Sequence, residues 1–130
     1  TNGRGNAGNI IINTRGTITL NGFGKVFTEQ YGEINLPSNI SSDVSIEGIG
    51  KGGNININAR ELFLKNTASI GANTFGQGDA GNIYIKASDR VSLNNDNNID
   101  STNISSFISD KATGNGGTIN IEASNILLDN

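Results

Sequence analysis

The sequence predicts an all-β fold, a right-handed parallel β-helix (solenoid) of about four coils, and three observations carry that expectation. The phrase Gly-x-Gly/Ala-Gly-Asn/Thr-Ile-x-Ile occurs four times: Gly5-Asn-Ala-Gly-Asn-Ile-Ile-Ile12, Gly50-Lys-Gly-Gly-Asn-Ile-Asn-Ile57, Gly78-Asp-Ala-Gly-Asn-Ile-Tyr-Ile85 and Gly114-Asn-Gly-Gly-Thr-Ile-Asn-Ile121. Its copies follow one another at intervals of 45, 28 and 36 residues (Gly8 to Gly53, to Gly81, to Gly117), as stacked copies of one unit do. Only 34% of the 130 residues are hydrophobic, whereas 18 are glycine and 22 are asparagine. That composition suits narrow layers joined by tight turns and does not supply a thick core.

The first strand of each unit is marked by isoleucine at the second and fourth positions after the last glycine: Ile10/Ile12, Ile55/Ile57, Ile83/Ile85 and Ile119/Ile121. A spacing of two puts both side chains on one face of a strand. The intervening residues are mostly polar, with Ile11 the exception, so one face is expected to be buried and the other wet. Burying one isoleucine is worth about 1.5–3 kcal/mol, so Ile57 or Ile85 tolerates aspartate far less well than Asn56 or Lys86 does.

The sixth position is small (Thr14, Ala59, Ala87, Ala123) and is read as a corner. A second alternating pair follows it, Ile18/Leu20, Leu62/Leu64, Val91/Leu93 and Ile126/Leu128. The pair arrives one residue early in the second and fourth copies, which leaves Phe63 or Leu127 as the alternative inward residue there. Third strands are expected in Ile40-Ser-Ser-Asp-Val-Ser-Ile46, Ser69-Ile-Gly-Ala-Asn-Thr-Phe75 and Ile104-Ser-Ser-Phe-Ile108. Short strands of this kind meet their hydrogen-bond needs by stacking on their equivalents in the next coil. Parallel crossovers favour right-handed winding, and four coils would rise about 19 Å. Asn9, Asn54 and Asn82 would form a ladder at the turn, where asparagine also bonds readily to its own backbone.

The whole chain, residues 1–130, reads as one repeat segment with a loop insert at about 21–38, a stretch rich in aromatics that holds the single proline. A second insert covers residues 94–102. Inserts on a solenoid gather on one side, often the binding side.

The chain contains no cysteine, histidine, methionine or tryptophan, which excludes disulfides, thiol or imidazole catalysis and zinc sites built from cysteine and histidine. A net charge of −3, from 9 basic and 12 acidic residues spread without blocks, gives no footprint for nucleic acid or an anionic membrane. No stretch approaches the roughly 20 apolar residues of a membrane span, so no membrane insertion is expected. The start, Thr1-Asn-Gly-Arg4, has neither an initiator methionine nor a signal peptide, and the chain reads as a segment of something longer.

Candidate chemistry is sparse. Asp79, Asp89, Asp96, Asp100 and Asp110, with Arg90 or Lys86, are the residues from which a polysaccharide-cleaving acid cluster would have to be built, but they do not fall at equal positions in successive copies. Gly76-Gln-Gly-Asp-Ala-Gly81 is like a calcium-binding nonapeptide in one copy only, the others having Asn6, Lys51 and Asn115 at the aspartate position. No catalytic residue, metal site or cofactor is therefore expected. The glycine phrases precede strands and lack a Gly-Lys-Ser/Thr ending, unlike a phosphate loop. Phe23, Phe27 and Tyr31 in the long insert are the candidate ligand contacts, able to stack on sugar rings or to pack the insert across its own coil.

Gly78-Asp-Ala-Gly-Asn-Ile-Tyr-Ile-Lys-Ala-Ser-Asp-Arg-Val-Ser-Leu93, preceded by Ala68-Ser-Ile-Gly-Ala-Asn-Thr-Phe-Gly76, resembles the repeats of large filamentous-haemagglutinin-like proteins, the cyanobacterial ones especially. The resemblance covers nearly all of the chain outside the 21–38 insert. It implies a right-handed parallel β-helix, export by two-partner secretion through an outer-membrane transporter, and a role as adhesin or surface filament outside a bacterial cell. The family's secretion-signal domain has no match here, which implies repeat material from the body of such a protein. The expected function is attachment to surface glycans or to a host or neighbouring cell surface, with no enzymatic activity. The alternative is a carbohydrate-binding or polysaccharide-degrading domain on the same scaffold, and fold alone does not choose between them. Three or more converging carboxylates would favour the enzyme; parallel ladders of Asn, Thr and Ser would favour the adhesin.

Overall fold

The structure, a computed structural model, describes residues 1–96 and 101–129. Among them the fold is all-β, with no helix. The strands in chain order are β1 (Ile10–Asn13), β2 (Thr17–Asn21), β3 (Phe23–Thr28), β4 (Gly32–Pro37), β5 (Asn39–Ser41), β6 (Ile55–Lys65), β7 (Ser69–Gly71), β8 (Ile83–Asn94), β9 (Asn103–Ser105), β10 (Ile119–Glu122) and β11 (Asn125–Asp129).

The repeated phrases lie in register over one another. The long sheet has the order β1-β6-β8-β10, all parallel, with β2 continuing the first layer beside β6 and β11 the last beside β8. Ile10, Ile55, Ile83 and Ile119 are direct partners in succession, as are Ile12, Ile57, Ile85 and Ile121. Ile55 and Ile83 are 0% exposed, enclosed by layers on both sides. Ile119, in the last layer, is 40% exposed. A second parallel sheet, β5-β7-β9, faces the same interior with Ile40, Ile70 and Ile104 in register.

Three features differ from the sequence-based expectation. In the two middle layers the first and second strands are fused into β6 and β8, with a bulge between Ala59 and Glu61 in place of a clean corner. That bulge absorbs the length difference: Arg60 alone spans in β6 what Ser88 and Asp89 span in β8. Leu62 and Leu64 thereby meet Val91 and Leu93, and both are fully buried. Phe63 is turned outward beneath the Lys65 ammonium, 5.4 Å from its ring centre, and Leu127 pairs with Ser92 on the outer face.

The third strands are also shorter than predicted. After three paired residues each, regular pairing stops, and only the isolated bridges Val44–Thr74 and Thr74–Ile108 continue it. Ile46 points to solvent, and Phe75 packs edge-on against Phe107 with ring centres 5.6 Å apart.

Finally, the long insert is not a loop. β3 and β4 form an antiparallel hairpin, from Phe23 opposite Pro37 to Thr28 opposite Gly32. In β4, Ile34 and Leu36 alternate with Glu33 and Asn35, which is the period a strand requires. The second insert reaches residues 97–100, which lie outside the described residues.

The repeated glycines follow from the stacking. A Cβ on Gly81 would lie 2.1 Å from the Gly53 carbonyl oxygen, and one on Gly53 the same distance from that of Gly8. Layers this close leave no room for a side chain at the turn.

Candidate binding face

The outer face of the long sheet is built by the residues that alternate with the buried isoleucines. Register places Ile11, Asn56, Tyr84 and Asn120 in one column and Asn13, Asn58, Lys86 and Glu122 in the next. Together the side chains of Asn56, Asn58, Tyr84, Lys86, Asn120 and Glu122 line a shallow groove of about 330 Å³. The Tyr84 ring is solvent-exposed between the amides of Asn56 and Asn120. Asn58 donates its side-chain N–H to Asn13 Oδ1 at 2.8 Å, and the Lys86 ammonium lies 3.7 Å from Glu122. An aromatic platform flanked by amides offers an apolar surface for stacking and donors and acceptors for hydroxyls.

Beside this face run ladders of side-chain oxygens at the turns. Asn54, Asn82 and Thr118 donate their backbone N–H groups to the Oδ1 atoms of Asn9, Asn54 and Asn82, each at 2.8 Å. The asparagines therefore bond upward to the next layer, not to their own turn. A parallel column contains Asn6, whose Oδ1 accepts from Lys51 N–H at 2.9 Å, then Asp79 and Asn115. Another joins Asp43 to the Asn73 N–H at 2.7 Å and Asn73 Oδ1 to the Phe107 N–H at 3.2 Å.

Asp79, the calcium-like position, is occupied by protein donors. Its Oδ1 accepts from both the side-chain and the backbone N–H of Asn115, each at 3.0 Å, and its Oδ2 lies 3.3 Å from the Lys51 ammonium. Those hydrogen bonds from Asn115, aided by Lys51, hold its pKa below the usual aspartate value. Asp89 lies 3.8 Å from Arg60, Asp96 and Asp110 are exposed singly, and Asp100 lies outside the described residues. Among the described residues no three acidic side chains gather closely enough to share a metal ion. Lys86 turns to Glu122, while Arg90 stands between Glu61 and Asn125 in register.

The three aromatic residues singled out from the sequence belong to the hairpin. Phe27 is 78% and Tyr31 71% exposed, so neither packs the insert across its coil. Phe27 stands opposite Glu33, which ion-pairs with Lys25 at 2.7 Å. Tyr31 sits in the turn and donates its backbone N–H to Thr28 Oγ1 at 3.1 Å. Phe23 opens β3, and its side chain lies outside what is described. Sequence reasoning passed over Tyr84; the available signal was an aromatic in the outward slot of the repeated phrase, where the other copies carry Ile11, Asn56 and Asn120.

The chain matches no family model, no curated protein and no solved structure.

Proposed function

We propose that this chain is a right-handed parallel β-helix segment of about four coils from a secreted, cell-surface protein of the filamentous-haemagglutinin-like kind, and that it serves attachment to cell surfaces. The observation that carries this reading is the in-register ladder of asparagine side chains at the turns beside the outward sheet face, with no three acidic side chains gathered closely enough to share a metal ion among the described residues. A regular polar face makes weak contacts at a fixed spacing, and many copies on one cell convert weak contacts into firm adhesion. Right-handed winding is supported by the general preference of parallel crossovers. Export through an outer-membrane transporter is proposed for the parent protein on the sequence resemblance alone. Asp79 is held by Asn115 and Lys51, Glu33 and Glu122 each pair with a lysine, and Glu61 and Asp89 share Arg60; carboxylates tied up in this way support binding over cleavage.

Tyr84 favours carbohydrate as the chemistry recognised on that surface, because an exposed ring between amides suits the apolar face and hydroxyls of a sugar. The test is adhesion of beads densely coated with the chain to glycan-coated surfaces, compared with beads carrying Tyr84→Ala or Phe27→Ala. Adhesion should occur for the dense coat and fall at least several-fold for Tyr84→Ala. Dense beads that adhere no better than uncoated ones would remove the attachment reading. A loss confined to Phe27→Ala would move the site to the hairpin.

A further inference from the structure

We propose that the outward face of the long sheet binds an extended, neutral, β-1,4-linked polysaccharide that lies along the stack, across the strands, with one sugar over each layer. The proposal rests on the attachment reading above and adds to it the class of glycan and its direction.

The shape of the face supplies the first argument. Along a strand the flat run is short: β1 and β10 hold four residues each, and in β6 the bulge between Ala59 and Glu61 leaves Asn56 and Asn58 as the outward residues before it. Across the strands the face runs unbroken through the described layers, since Ile11, Asn56, Tyr84 and Asn120 are direct partners in succession. Paired strands follow one another at about 4.8 Å, close to the advance per sugar of a β-1,4-linked chain in its extended form. Sugars and layers therefore stay in step. An α-1,4-linked chain curves into a coil and leaves such a row after a few sugars.

The alternation within that column is the second argument. It reads apolar, amide, apolar, amide, with Ile11 67% and Tyr84 42% exposed. Among the described residues no protein group is hydrogen-bonded to the side-chain amide of Asn56 or Asn120. In an extended β-1,4-linked chain each sugar is turned over relative to the one before, so like edges recur at every second sugar. That period equals the step from Ile11 to Tyr84 and from Asn56 to Asn120, two layers in each case. The apolar side chains then take the ring faces of alternate sugars, and the amides take the hydroxyls of those between.

Charge is the third argument. The groove is lined by one cation and one anion, Lys86 and Glu122, which lie 3.7 Å apart, and at the neighbouring turn Lys51 lies 3.3 Å from Asp79. A uronate or sulfate reaching Lys86 would have to displace Glu122 and remain beside a like charge. Neutral sugars meet no such cost.

Backbone amide NMR titration of the chain with β-1,4-linked glucose oligomers of two, four and six sugars, and with α-1,4-linked oligomers of the same lengths, tests the proposal. The β-linked series should shift the resonances of Asn56, Tyr84 and Asn120, and its affinity should rise at least several-fold from two sugars to four as successive rings engage. The α-linked tetramer should bind at least tenfold more weakly than the β-linked one. Tyr84→Ala should weaken the β-linked tetramer at least tenfold and Ile11→Ser several-fold, whereas Glu122→Gln should add binding of a β-1,4-linked uronate tetramer. All three substituted side chains point outward, and far-UV circular dichroism reports the fold of each variant separately. Equal affinity for the two linkages, no gain beyond two sugars, shifts confined to the hairpin, or a wild-type preference for the uronate would each overturn the proposal. Dense beads that adhere through Tyr84 to surfaces lacking β-1,4 links, with no binding of the β-linked oligomers, would overturn it and leave the attachment reading standing.

Discussion

Gly81 and Gly8 occupy the same place in the repeat, yet the same substitution should have opposite outcomes at the two. Gly81 has no left-handed φ; it is glycine because the Gly53 carbonyl leaves no space for a Cβ. Gly81→Ala must displace backbone, which costs about 3 kcal/mol or more, whereas Gly8→Ala, whose Cβ would have no atom within 4 Å, should stay within about 0.5 kcal/mol of wild type. Urea unfolding midpoints of the pair check this; equal midpoints would mean that layer spacing is not what selects glycine. Asp79 makes a separate claim at this scale. Its pKa is lowered in the folded chain by Asn115 and Lys51, so its stabilising contribution is present above the ordinary aspartate value of about 3.9. It is lost as pH falls through the lowered folded value. The carboxylate is 38% exposed, and solvent screening keeps the contribution small. Carboxyl-carbon NMR should show Asp79 titrating below an unfolded aspartate, and Asp79→Asn should lose less stability than wild type on acidification from pH 6 to pH 3. Titration at or above the ordinary value contradicts the hydrogen-bonded geometry.

Strands β6 and β8 were legible in the sequence as faces but not as units. Period-two isoleucine identifies what is buried, and the outward places of Asn56, Tyr84 and Lys86 follow from it. A one-residue slip preserves that period while reversing the face, so Leu62/Leu64 and Phe63 remained open until neighbouring layers decided between them. The decision lies in Ile18/Leu20 on one side and Val91/Leu93 on the other, contacts between residues remote in sequence. The hairpin was hidden for a different reason: no Asn-Gly or Asp-Gly pair marks its turn, which instead uses Gly32 at φ 72° after Tyr31. Of the candidate site, the aromatic wealth of the insert was visible, whereas Tyr84 was one letter in a variable slot and gained meaning only between Asn56 and Asn120. The hairpin also carries its own prediction. Gly22 donates to Lys65 O at 3.0 Å and Ser38 donates to Gly22 O at 2.9 Å, so the chain ends flanking the insert already meet on the body. Replacing residues 23–37 by two glycines should leave the melting temperature of the stacked sheets within a few degrees of wild type, since a shorter closed loop costs little entropy. A large drop would show that the hairpin is part of the core.

Stability in a stack of this kind is a sum of layer and interface contributions, because each layer touches only its neighbours. β6 and β8 have a layer on both sides, and their inward side chains Ile55, Leu62, Leu64, Ile83 and Val91 are fully buried. β1, β2, β10 and β11 have one described neighbour each, and their inward aliphatic side chains are only partly buried or exposed. Opening an end layer breaks one interface, whereas opening a middle layer breaks two, so local unfolding should be graded along the stack. Hydrogen exchange on the wild-type chain measures that gradient. The Ile10 amide, bonded to Asn54 O at 2.9 Å, and the Ile55 amide, bonded to Asn82 O at 2.8 Å, are matched in geometry and differ in the number of neighbouring layers. Ile55 should exchange more slowly than Ile10 by at least roughly tenfold, the factor that about 1.4 kcal/mol of extra opening cost produces. Equal protection would mean that the chain opens only as a whole, and the additive picture of stacked layers would fail even with every strand in its described register.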